Sequence, residues 1–102
     1  MKLTKYTLYK TILGQSLGLM FSHKKTIVFE FKNERKVSLH TFFVFFPITV
    51  LFLNSEKKIV EHTVMKPFRF YFPTHKSKYI VELPFETQKK IGEKVRFDYR
   101  EL

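Results

Sequence analysis

Residues 37–53 read V-S-L-H-T-F-F-V-F-F-P-I-T-V-L-F-L, an almost unbroken apolar run of 17 residues. A spanning helix needs about 20 such residues, so the run is just short of a membrane segment. Pro47 lies inside it, where a helix would lose a hydrogen bond and meet a steric clash. Its residues are mostly aromatic or β-branched rather than strong helix formers. Two strands, 37–45 and 48–53, fit better, with Pro47 at a bend or strand start, where a missing N–H is tolerated. The run is then the core of a β domain, and no transmembrane segment is expected.

The rest of the chain agrees. Its 102 residues are expected to form one domain over 1–102. They include 13 Phe and 5 Tyr but no Trp, and such rings pack well on pleated strands. Residues 3–9 read as an opening strand and 26–31 as a second, followed by a charged turn at 32–36. Leu13, Leu17 and Met20 fall at helical spacing, which suits a short helix or turn weakened by Gly14 and Gly18. Residues 54–57, N-S-E-K, are a turn, so 58–65 would pair with 48–53 as a hairpin. Residues 66–78 are irregular, with Pro67 and Pro73 bracketing aromatics. A strand at 78–83 precedes a short helix at 85–90, begun after Pro84 and stopped at Gly92. Residues 94–99 close with a strand. The expected fold is mostly β: a compact single-domain β sandwich or barrel of about seven short strands with one or two short helices.

The net charge is +10, which favours polyanions such as nucleic acid, acidic proteins or an anionic membrane surface. There is no Cys, so disulfides, thiolate metal sites and a Cys nucleophile are excluded. The start, M-K-L-T-K-Y-T-L-Y-K, lacks a continuous apolar stretch. A cleaved signal peptide is not expected, and a cytoplasmic location is the default, with peripheral membrane association left open.

Candidate site residues come from two places. His40 and Thr41 interrupt the apolar run, where a polar pair is costly unless satisfied or exposed. His40 would be a general base or donor, or else a strand-end His bonded to backbone or water. In the segment K-P-F-R-F-Y-F-P-T-H-K-S-K, residues 66–78, an extended chain places Phe68, Phe70 and Phe72 on one side and Arg69, Tyr71 and Lys66 on the other. Basic residues interleaved with aromatics grip phosphates while stacking bases, and equally suit a sugar or carboxylate held by an Arg fork. The alternative is a loop that packs its Phe rings on the core. Glu82 shares a strand face with Ile80 and would pair with Arg69 or face solvent. His23, His40, His62 and His75 match no metal-ligand spacing, so neither metal nor cofactor is expected.

In order, G-L-M (Gly18 to Met20), I-V-F-E-F (Ile27 to Phe31), P-I-T-V-L-F-L-N (Pro47 to Asn54), I-V-E (Ile59 to Glu61), M-K-P-F (Met65 to Phe68), Y-I-V-E-L-P (Tyr79 to Pro84) and I-G-E-K-V (Ile91 to Val95) resemble a small prokaryotic family called domain of unknown function 192. The resemblance covers about residues 13–95 and implies a compact, mostly β fold; it supplies no activity. It implies departures too. Thr49 stands where the family commonly has an acid, Asn54 where it often has Asp, and Gly92-Glu93 where it usually reads Gly-Asp. The reading is therefore a binding module for a ligand or protein partner, leaning away from an enzyme. The alternatives are a nucleic-acid or other polyanion binder, and an enzyme using His40 with Arg69 or Glu82.

Overall fold

The computed structural model of the chain describes residues 1–10, 24–41 and 44–98. Its centre is a five-stranded sheet ordered β2-β3-β8-β5-β6, made of β2 (Thr7–Lys10), β3 (Ile27–Arg35), β8 (Ser77–Leu83), β5 (Ile48–Leu53) and β6 (Ile59–Met65). All pairings are antiparallel except β2 with β3. Two short ribbons flank the sheet: β1 (Lys2–Leu3) runs parallel to β9 (Arg96–Phe97), and β4 (Leu39–His40) antiparallel to β7 (Phe70–Tyr71).

Both faces of the sheet are buried, and the two-residue period of a strand decides which side chain goes where. Ile27, Phe29 and Phe31 of β3 pack with Ile48, Val50, Phe52 and Ile80 on one face, under Val37, Leu39 and Val44. Val28, Leu51, Leu53, Tyr79, Val81 and Leu83 form the opposite face, closed by Leu3 and Val95. Every residue of β5 is buried because it lies between β8 and β6 with both faces covered. A strand in that position reads as a continuous apolar run rather than an alternating one. That is why residues 48–53 look like half of a membrane segment. No helix among the described residues is long and apolar enough to cross a membrane.

Several expectations are corrected. The opening strand is split in two by residues 4–6. The charged segment 32–36 is not a simple turn, since β3 continues to Arg35 through an irregularity and regains β8 at Ser77. Among the described residues of 37–45, only Leu39–His40 pairs as a strand. Residues 85–90 are not helical: the Phe85 carbonyl, which would accept a bond from residue 89 in a helix, accepts the Thr49 hydroxyl at 2.7 Å. The short helix read at 13–20 lies outside the described residues. The hairpin β5–β6 forms as expected, and its turn is fixed by Asn54, whose side-chain oxygen accepts from the backbone of Glu56 (2.9 Å) and Lys58 (3.0 Å). Lys57 there has φ of 63° and Gly92 has φ of 91°, the second a conformation that favours Gly.

Candidate functional site

Thr41 is the structural pin of the β4–β7 ribbon. It is fully buried. Its N–H donates to the Arg69 carbonyl at 2.8 Å, and its own carbonyl accepts from Phe68 N–H at 2.8 Å. Its hydroxyl donates to the Lys66 carbonyl at 2.6 Å and accepts from Arg69 N–H at 2.9 Å. One residue thus satisfies most of the backbone of residues 66–69, which could otherwise not be held in a loop. Here the polar interruption in the apolar run is satisfied internally, and this closes the 37–45 strand early.

Glu61 fixes the other end of the loop. From β6 it accepts the Tyr71 hydroxyl, the backbone N–H groups of Thr74 and His75, each at 3.0 Å, and the Thr74 hydroxyl at 3.2 Å. Its Oε1 also lies 2.8 Å from Nδ1 of His75. Burial works to raise the Glu61 pKa, but the hydrogen bonds from Tyr71, His75 and Thr74 hold it down to about 2. The Tyr71 hydroxyl is pushed up to about 12 by burial and by its bond to Glu61. The Tyr71 ring stacks on Phe52 at 5.7 Å, so Tyr71 faces the core. The sequence carried no signal for this cluster, because Glu61, Tyr71 and His75 are joined only by the fold.

Between these two anchors the Phe rings of the loop turn outward rather than packing on the core, while Tyr71 turns inward. Phe68 is 52% exposed, Phe70 58%, Phe72 70% and Phe45 74%. Phe70 stacks on Phe72 (6.0 Å, 17°), and Phe45 meets Phe68 edge-on at 5.7 Å. His40, opposite Phe70 in the ribbon, contacts that ring at 6.2 Å. Lys66 and Arg69 are exposed among them, with an Arg69 nitrogen 3.3 Å from the carbonyls of Pro67 and Phe68. Next to Phe45, Phe46 lies under the Lys24 ammonium at 5.2 Å. At roughly 120 Å² per ring, the four exposed Phe amount to about 500 Å² of apolar surface. That is the size of the largest patch on a typical monomer, which is often functional.

The structure therefore brings His40, Thr41, Lys66, Arg69 and Tyr71 together on one ribbon, with Thr41 and Tyr71 facing inward. Glu82 is elsewhere. It lies in β8 opposite Ile27 and Val50, is 4% exposed, and its Oε2 has no hydrogen-bond partner among the described residues. It neither faces solvent nor pairs with Arg69. Burial pushes its pKa up to about 7. Thr49, buried on the other face, also accepts from Thr87 N–H at 3.0 Å. It holds the segment after Pro84 by donating and accepting, and an ionised acid could not donate. Among the described residues no group of three or more His, Asp or Glu is placed to hold a metal.

A model of the family DUF192, described as "Uncharacterized ACR", matches residues 2–97. A UPF0127 protein of Pyrococcus furiosus is 45% identical over 71 residues, which is 67% of this chain and 61% of that one. A UPF0127 protein of Pyrococcus horikoshii is 33% identical over 94 residues, 85% of this chain and 82% of that one. Among solved structures, a candidate transcription regulator from Sinorhizobium meliloti superposes with a TM-score of 0.65 at 20% identity, over 76% of this chain and 66% of that one. A protein of unknown function from Novosphingobium aromaticivorans superposes with a TM-score of 0.63 at 14% identity, over 78% of this chain and 62% of that one. The chain thus spans less than two thirds of the Pyrococcus furiosus relative and of both solved chains. At such identities the structural likeness shows the fold alone.

Proposed function

The chain belongs to the domain of unknown function 192 family, and on that footing we propose that it is a binding module without catalysis, whose binding face is the outward side of the β4–β7 ribbon. The observation that carries this reading is the set of exposed Phe68, Phe70 and Phe72 rings on a backbone anchored at both ends by Thr41 and Glu61, with exposed Phe45 packed edge-on against Phe68. A face ordered before its partner arrives loses little freedom on binding, and aromatic and Arg side chains carry most of the affinity in such contacts. The sequence around the face supplies cations only. Residues 37–55 and 62–81 contain no Asp or Glu, and Lys66 and Arg69 are exposed beside the rings, whereas Lys76 and Lys78 act on Glu34. The partner is therefore anionic with an apolar component.

A second reading is single-stranded nucleic acid, favoured by Arg69 standing between two exposed rings, since bases stack on such rings while cations track the backbone. Both readings are tested by titrating the protein with a single-stranded oligonucleotide and with an acidic, aromatic-rich peptide at low and high salt. Binding to at least one probe is expected, falling steeply with salt and weakened at least about tenfold by Phe70→Ser with Phe72→Ser. Binding that ignores both that pair and Lys66→Glu with Arg69→Glu would remove the ribbon as the binding face.

A further inference from the structure

Resting on that reading of the ribbon, we infer that its partner is an anionic phospholipid surface, into whose interface the Phe cluster inserts while the surrounding cations meet the headgroups. The arrangement of the rings separates this from base stacking. A stacking platform offers each ring face to a base, whereas here Phe70 is stacked on Phe72 and Phe45 is closed against Phe68. The two ring pairs, all four rings more than half exposed, make an apolar knob. They are all Phe, with no polar tip, and the one Tyr of the segment turns its hydroxyl inward to Glu61. Such a knob is satisfied by an apolar medium rather than by hydrogen-bonding bases. The cations complete the match. Lys66 and Arg69 are exposed within the knob, and Lys24 lies at its border over Phe46. Cations at that level are drawn to acidic lipids over about a Debye length, and apolar side chains below them give the buried area that makes interfacial binding stick. Thr41 fits this role: a rigid loop can insert its rings without first being ordered.

The chain has no Trp, so Phe72→Trp places a single reporter in the knob. The test is cosedimentation, with the emission of that reporter, on vesicles of phosphatidylcholine alone and with about a third phosphatidylglycerol. Expected are binding to the anionic vesicles at least about tenfold above the neutral ones, a blue shift of the Trp, and weakening by high salt. Separately, Phe45→Ser with Phe70→Ser and Lys66→Glu with Arg69→Glu should each weaken binding at least about tenfold. All of these positions are exposed, so circular dichroism should show both variants folded. Vesicle binding without a blue shift, or untouched by the Phe substitutions, would mean simple charge attraction and overturn the inference. Failure on vesicles with ribbon-dependent binding of the oligonucleotide or peptide would overturn it and leave the binding module standing. Failure with every probe would overturn both.

Discussion

The buried carboxyl of Glu82 gives the sharpest thermodynamic test of the fold. It sits between Ile27 and Val50 on neighbouring strands, and burial raises its pKa from 4.5 to about 7. A raised acid pKa means that the native state holds the proton after the unfolded chain has released it. Its contribution to stability is therefore most favourable while both states are protonated, falls between pH 4.5 and about 7, and stays low above that. Holding the proton from 4.5 up to about 7 amounts to about 3 kcal/mol, a large share of the roughly 5–15 kcal/mol that holds a domain together. Glu82→Gln removes the titration and keeps the shape. Urea unfolding, followed by circular dichroism, should show the variant gaining about 3 kcal/mol on the wild type between pH 4.5 and pH 8. Any fixed cost of the buried amide cancels, because the same variant is compared at two pH values. A difference between the proteins that is equal at both pH values would refute the reasoning and mean that Glu82 is charged and satisfied in the native state.

Glu61 should show the opposite sign. Its pKa is depressed to about 2, so its contribution is present above about pH 4.5 and lost as the pH falls through 2; Glu61→Gln should lower stability by about 2–3 kcal/mol at pH 7, less at pH 2, as read by urea midpoints. Thr41→Val removes a hydroxyl that bonds the backbone of Lys66 and Arg69, and should cost about 2 kcal/mol and speed hydrogen exchange of the Arg69 amide while leaving that of β5 slow.

The sequence by itself determined the class of the fold. Thirteen Phe, strand-length apolar segments and Pro47 inside the long run pointed to strands rather than one helix, and the run supplies β5 and the short β4. The bounds of β5 were legible, because Pro47 and the Asn54 turn close it on both sides. The placing of Phe70 and Phe72 on one side and Tyr71 on the other was also legible, because strand geometry acts locally. Non-local pairing was not legible. Nothing local says that β2 runs parallel to β3, or that Phe85 gives its carbonyl to Thr49 and so leaves 85–90 without a helix. The sites divide the same way. A run of basic and aromatic residues marked the loop, but only the tertiary structure decided which face the rings took. It set Thr41 and Glu61 as anchors and put Glu82 in the core, because hydrogen bonds and burial join residues far apart in the chain.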